Sequence, residues 1–554
     1  MHRLRLGPYL GFVVGLLLDL AACGGGGSGT SPDGNTPPPD GALPQPDGGQ
    51  PDAAPPPPCN DLPTVCAARW EENAANKFDT LLGDPTALAA FLKAVPKGGD
   101  LHNHLSGAVY AETYLDWGRI DGDCINTSSD AAVNASSCSA TNQAIPTSGT
   151  FFDAIVRAWS MQDFLAGAQN GHDHFFATFG KYGLIAGAHR DDTIADVAKR
   201  AASENQVYVE TMFNLGKNTG TLAASLFSGT MTAADIPTLY TNLTTNAGFA
   251  TAVTNDVAVV DSAQSGYRGA LGCSGLNPPA ACKVGMRFVA QVARTGASDQ
   301  VFGQLVGAFE MAKHTGAIVA ANLSSPEDDT ASINNYNLQM AMLDFLHTQY
   351  AGTSPLHVTL HAGELVPQYL PTGSTANTFH IRAAVETAHA ERIGHGIDIM
   401  SETDPAGLMD EMATKNVLVE VCLSSNTQIL QVSGTNHPLA QYLAHHVPVA
   451  LATDDQGVSR SSMAGEYLRA ALDQHLTYRQ LKTIARDSLE HAFLPGTSLW
   501  TAVGTTPNTA CTPTATMGLG DAPNATCSAF LASSERATTQ WELEHRFLAF
   551  ESQQ

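Results

Sequence analysis

The chain has 554 residues, 43% of them hydrophobic, with 28 Lys and Arg against 53 Asp and Glu for a formal charge of -25. A solvated surface that acidic repels phosphate backbones, which excludes nucleic acid as a partner.

At the N-terminus, Arg3 and Arg5 precede an apolar stretch over 6–18, and Leu20-Ala21-Ala22-Cys23 sets small residues before a cysteine. This pattern predicts a bacterial lipoprotein signal peptide over 1–22, with Asp19 an unusual charge in it and Cys23 the lipidated first residue of the mature chain. Gly24, in place of Asp, favours the outer membrane of a Gram-negative cell. The expectation is an exported protein held in the cell envelope by its lipid anchor alone; an ordinary signal peptide would leave it periplasmic or secreted. Residues 24–58 are Gly, Pro, Asp and Ser with almost no large apolar side chain. Such a segment cannot bury a core and reads as a flexible tether to a folded domain over 59–554.

Beyond the tether, apolar β-branched runs recur at 99–105, 207–214, 284–293, 317–324, 357–364, 392–399, 417–426 and 448–455. Between them, Phe302, Leu305, Val306 and Phe309 repeat at helical spacing before Gly316, as do Ile381, Val385 and Ala388. Eight strands with helical crossovers predict a (β/α)8 TIM barrel with its core at about 96–496, whose functional groups sit at the C-terminal strand ends.

A bare barrel needs about 250 residues, so the surplus must sit in insertions. A long one follows strand one and carries Trp159, Phe164, Phe175, Phe176 and Phe179 at helical positions; another lies between strands two and three. These loops open on the catalytic face, so part of this material is expected to form a lid or pocket wall. Of the ten cysteines, eight fall into local pairs that bracket loops: Cys59 with Cys66, Cys124 with Cys138, Cys273 with Cys282 and Cys511 with Cys527. Disulfides persist outside the cytoplasm. Cys422, inside an apolar run, reads as a buried small hydrophobe. Residues 501–528 read as a disulfide-closed surface loop.

Four distant stretches carry the chemistry: Leu101-His102-Asn103-His104-Leu105, His361-Ala362-Gly363-Glu364, Arg392-Ile393-Gly394-His395-Gly396 and Thr453-Asp454-Asp455. Alternate residues of a strand share a face, so His102 and His104 can grip one ion together. Three imidazoles and a carboxylate hold a divalent cation with a position left for water, whose pKa then falls toward neutrality. Glu364, His395 and Asp455 remain for proton transfer. No lysine occurs in 317–325 to bridge two ions, which favours a single metal, and the H-x-E with P-C-x-x-C pattern of His/Cys/Cys zinc sites is absent.

With Pro96-Lys97-Gly98-Gly99-Asp100, Val207-Tyr208-Val209-Glu210 and Glu420-Val421-Cys422-Leu423-Ser424-Ser425-Asn426 added, the chain from about 96 to 496 resembles the adenosine deaminase branch of the amidohydrolase superfamily, most closely its secreted growth-factor-like members. The resemblance implies one Zn2+ per chain on His102, His104, His361 and Asp454. It implies that Glu364 gives a proton to purine N1 while His395 and Asp455 orient and deprotonate the water, so that a 6-aminopurine such as adenosine or 2'-deoxyadenosine becomes the 6-oxopurine with release of ammonia. The partner is then a small purine nucleoside or base. Two positions depart from the family: Ser106 stands where an acidic residue contacts the ribose, and Ser325 where a glycine N–H meets the purine. Gln456 also replaces a common proline. Alternative readings are an amidohydrolase of another purine-like C–N bond and a surface binding protein without catalysis; the intact proton-transfer set argues against the latter. The oligomeric state is not set by the sequence.

Overall fold

Short buried runs of Val, Ile, Leu and Ala build the centre of the molecule. The computed structural model describes residues 59–164 and 170–554, so the predicted signal peptide, Cys23 and the tether lie outside the described residues. Eight parallel strands follow one another in chain order across one sheet: β1 (Gly99–His104), β2 (Tyr208–Asn214), β3 (Gly285–Ala293), β4 (Ile318–Ser324), β5 (His357–Ala362), β6 (Arg392–His395), β7 (Leu418–Val421) and β8 (Val449–Leu451). The two edges meet just beyond β8. There the Asp454 N–H donates to the His102 carbonyl at 2.9 Å and the His104 N–H to the Asp454 carbonyl at 3.0 Å. The sheet is thereby closed as a (β/α)8 barrel, and both faces of its strands are covered, which is why they read as continuous apolar runs.

The first predicted helical periodicity falls in helix Ser298–Met311, which buries Phe302, Leu305, Val306 and Phe309; of the second, Ile381 and Val385 fall in helix His380–Glu386, while Ala388 lies two residues past its end. Strands β2, β3 and β4 end where the sequence runs do, whereas β1 and β5 to β8 end earlier. Past β5, β6 and β8 the backbone turns into left-handed conformations, at Gly363 (φ +78), His395 (φ +68), Gly396 (φ +58) and Asp454 (φ +55). Glu364, Asp454 and Asp455 therefore stand on the rim beyond the strand ladders. Ser424, Ser425 and Asn426, placed on strand seven from sequence, lie in a helix, Leu423–Leu430. Their small polar side chains cap the barrel mouth instead of continuing the sheet.

The insertion after β1 contains helices Ala111–Asp121, Thr150–Trp159, Gly171–Ala188 and Arg190–Ser203, and also a three-stranded antiparallel sheet centred on Cys124–Asn126. It has its own core, in which the buried Tyr114 and Tyr182 rings stack at 5.0 Å beside Trp159 and Phe175. All four predicted disulfides form, and Cys422 is buried and free. The 501–528 segment is more ordered than a loop. A two-stranded ribbon (Trp500–Ala502 with Thr506–Pro507) and helix Ala525–Ala532 pack Trp500, Met517 and Leu531 against Trp541. No helix among the described residues is long and apolar enough to cross a membrane.

Candidate active site

At the C-terminal mouth of the barrel, ligand-type atoms of His102, His104, His361 and Asp454 lie within 4.8 Å of one another, and all four residues are buried. His102 and His104 share a face of β1, as their two-residue spacing requires. Asp454 is brought beside them by the hydrogen bonds that close the barrel. Its Oδ1 lies 3.6 Å from His102 Nε2 and 3.4 Å from His104 Nε2, and Ser425 Oγ donates to its Oδ2 at 2.6 Å.

Each imidazole is oriented by a second partner. His102 Nδ1 donates to Glu420 Oε2 at 2.6 Å, His361 Nδ1 to Asn322 Oδ1 at 2.7 Å and His104 Nδ1 to Gln291 Oε1 at 3.2 Å. All three Nε2 atoms consequently face inward. Burial lowers His104 to about 4 and His361 well below the ordinary histidine range, so both rings are neutral and carry their proton on Nδ1. Their Nε2 atoms nevertheless stand 3.1 Å apart, lone pair to lone pair. Two bare nitrogens repel at that distance unless they share a cation. Three nitrogens and a carboxylate oxygen fit a zinc-type donor set. A divalent cation there would lower the pKa of a water toward neutrality.

Glu420 belongs to a layer of charge beneath the site that the sequence reading quoted without assigning a role. Its Oε1 accepts from Arg392 Nε at 2.7 Å and Thr359 Oγ1 at 2.8 Å, while Arg392 Nη2 reaches Glu210 Oε2 at 2.5 Å. Burial opposes ionisation, but Arg392 and His102 hold the Glu420 carboxyl below its usual range.

The proton-transfer candidates surround the cluster. Glu364 Oε1 is 3.7 Å from His395 Nε2, and burial with the charges of Asp454 and Glu327 raises its pKa well above the usual carboxylate value. Burial thus favours the protonated form of Glu364. A chain of hydrogen bonds sets the tautomer of His395. The Leu439 N–H donates to His437 Nδ1 at 3.1 Å, so His437 Nε2–H donates to Asn426 Oδ1 at 3.2 Å. Asn426 Nδ2 then donates to His395 Nδ1 at 3.0 Å, which leaves the proton of His395 on Nε2. Burial holds His395 down to about 3, so it is neutral, and its Nε2–H points into the site without a protein partner. Asp455 is the complement: its Oδ1 is buried without a partner, and burial, then Asp454 and Glu364, push its pKa well up. Gly107 is needed opposite it, because a Cβ there would stand 1.6 Å from Asp455 Oδ1.

Ser106 lines a cavity of about 680 Å³ with Phe179 and Tyr182 of helix Gly171–Ala188, Met212 and Gln291, whose bond to His104 places this space beside the cluster. Inserted aromatic residues therefore do form part of a pocket wall. Tyr182 is 2% exposed and its hydroxyl has no partner. Ser325 follows β4 with φ +94, a left-handed backbone suited to glycine. Besides Glu420, sequence reasoning missed Asn322, Gln291, Ser425 and Asn426.

Residues 238–499 match the family model described as Adenosine deaminase. The adenosine deaminase of Serratia proteamaculans (strain 568) is 37% identical over 149 residues, 27% of this chain and 41% of that protein. That of Erwinia tasmaniensis is 30% identical over 238 residues, 43% of this chain and 61% of that protein. The chain thus spans less than two thirds of the curated relatives it matches. Among solved structures, an adenine deaminase from Arthrobacter aurescens shares 18% identity at a TM-score of 0.44, covering 72% of this chain and 95% of that one. An arabidopsis N6-mAMP deaminase shares 19% at 0.46, covering 73% and 96%.

Proposed function

We propose that this chain, whose residues 238–499 match the adenosine deaminase family model, is a zinc-dependent hydrolase that converts adenosine, 2'-deoxyadenosine or a related 6-aminopurine to the 6-oxopurine and ammonia. One zinc per chain would be held by His102, His104, His361 and Asp454. On the motifs quoted above, we place it nearest the secreted growth-factor-like branch. The observation that carries the reading is a buried Glu364 carboxyl set 3.7 Å from His395 Nε2 and within 4.8 Å of the Asp454 carboxylate, beside the cluster of His102, His104 and His361.

In this reading Glu364 donates its proton to N1 as a water oxygen bonds to C6. Asp455, which the charge of a bound cation would hold ionised against the effect of burial, accepts the proton of that water, and His395 Nε2–H donates a hydrogen bond to the oxygen as its charge develops. Asp455 then returns the proton to the amino group, the C6–N bond breaks and ammonia leaves as the C6 hydroxyl gives up its proton to form the carbonyl, a proton that restores Glu364 to its acid form. A positioned acid or base of this kind is worth about 10² to 10⁴ in rate. The tautomer of His395 suits it to donate and leaves the deprotonation to Asp455.

The test is ammonia release by the purified protein with adenosine, 2'-deoxyadenosine, adenine and AMP. Release with formation of the 6-oxopurine, lost in the His361→Ala variant together with bound zinc, is expected. A zinc-loaded protein that deaminates none of them would overturn the reading.

We also propose export with a lipid on Cys23, in keeping with four disulfides that would not persist in a reducing compartment. Cys23→Ser should abolish lipid labelling and membrane association. Wild-type protein recovered as a soluble species with an unmodified N-terminus would refute this.

A further inference from the structure

We propose that Glu327 is a positioning residue that fixes the Gly363–Glu364 peptide, and through it the acid Glu364; the inference rests on the reaction proposed above. Glu327 stands three residues past the end of β4 and is 1% exposed. Its Oε2 accepts the Glu364 N–H at 2.8 Å and its Oε1 the Gly363 N–H at 3.1 Å. One carboxylate thus grips two consecutive amides, which fixes the plane of the peptide between them and so the direction in which the Glu364 side chain leaves the backbone.

The grip is itself held from behind. His380 Nδ1 donates to Glu327 Oε1 at 2.6 Å, and Arg294 Nη1 lies 3.8 Å from the same oxygen. The His380 ring is stacked on Tyr336 at 3.5 Å and 4°, and the Tyr336 hydroxyl donates to the His380 carbonyl at 2.7 Å. Burial opposes the charge on Glu327, yet the His380 bond, Arg294 and the Glu364 amide keep its carboxyl below the usual range. It stays ionised, with acceptors for both amides.

This turn needs such an anchor. Gly363 has φ +78, and a Cβ there would lie 2.4 Å from Asp398 Oδ1 and 2.7 Å from Ile381 Cδ1, so no side chain at 363 can pin the turn by packing. Both oxygens of Glu327 are occupied by these partners, so it acts on the reaction through Glu364. Misplacement of a reacting group by about 1 Å costs on the order of 10²-fold in rate.

The experiment compares Glu327→Gln, Glu364→Gln and the double variant of the full chain. Glutamine has one acceptor oxygen, and its amide would face one of the two N–H donors. The readouts are kcat and KM for adenosine, zinc content, thermal stability and hydrogen exchange of the amides over 361–366. Glu327→Gln should keep its zinc and its KM, lose about 10² in kcat and exchange faster at Gly363 and Glu364. In the Glu364→Gln background it should cost almost nothing further, because residues that act as a unit are not additive. A multiplicative further loss, a loss of zinc, or unchanged exchange at 363 and 364 would overturn the proposal. If the wild type deaminates no 6-aminopurine, the proposed function falls by itself, and the exchange comparison still decides whether Glu327 holds the turn.

Discussion

Glu420 Oε2 and His102 Nδ1 are joined by a 2.6 Å hydrogen bond in which neither side chain reaches solvent. The same carboxylate is tied to Arg392, so the orientation of a ligand at the barrel mouth depends on an ion pair across strands β6 and β7. Partners of this kind are typically worth about 10- to 100-fold in metal affinity. Glu420→Gln should therefore weaken zinc binding by about that factor, read by competition with a chelator. It should also lower thermal stability, because Arg392 loses one of its two buried counter-charges. Unchanged zinc affinity would show that the ring is held without Glu420.

Glu364 offers a sharper test of chemistry. Burial raises its pKa well above the usual carboxylate value and so favours the acid form, and an amide at that position has no such proton to deliver. Glu364→Gln should fold, keep zinc and lose about 10² to 10⁴ in kcat. Near wild-type kcat would remove Glu364 from the role of acid.

The barrel, the order of its strands and the four metal-type residues could be read from the chain because each depends on short-range pattern. Strands buried on both faces are continuous apolar runs, and a histidine pair two residues apart must share a face. The supporting residues could not be read so easily. Glu420 meets His102 across 318 residues, and Asn426 meets His395 only because the chain after β7 turns into a helix. A charged residue inside an otherwise apolar run, such as Glu210 after Val209 or Glu420 after Val419, was the available signal. A buried charge must be paired, but sequence alone does not say with what. The strand ends were overrun for a related reason: the left-handed turns at His395 and Asp454 occupy residues that are not glycine.

Glu466 predicts a pH dependence of stability. Burial raises its carboxyl from 4.5 to about 7, with the Ser424 N–H donating to Oε2 at 3.1 Å. Between those two values the folded chain holds a proton that the unfolded chain has released. Stability is then greatest below pH 4.5 as far as this group is concerned, and falls as pH rises toward about 7, by on the order of 3 kcal/mol. Glu466→Gln should flatten that part of the curve of denaturation midpoint against pH. An identical slope in the variant would mean that Glu466 ionises normally in the fold.

Ser325 has φ +94, a region in which a Cβ is strained and glycine is not. Ser325→Gly should raise stability by about 1 kcal/mol with the rim geometry retained, measured by denaturant unfolding. A loss of stability would show that the serine side chain is held by contacts that outweigh the strain.

Ser106 carries the last prediction, because it lines the cavity of about 680 Å³ and stands where the resemblance to adenosine deaminases implies an acidic sugar contact. A carboxylate would accept a charge-assisted hydrogen bond from a ribose hydroxyl, generally about 1.5 to 3 kcal/mol, whereas serine offers a neutral one of about 1 kcal/mol. Weak discrimination between adenosine and analogues altered at the ribose is therefore expected. Ser106→Asp should sharpen the preference for the intact nucleoside, mainly through KM. The Tyr182 hydroxyl, buried and unpartnered in the lining of the same cavity, is a second candidate for reading the sugar. Tyr182→Phe separates the two contributions. If wild-type selectivity for adenosine over its 5'-deoxy analogue is strong, survives Ser106→Ala and collapses in Tyr182→Phe, the inserted helix reads the sugar and Ser106 does not.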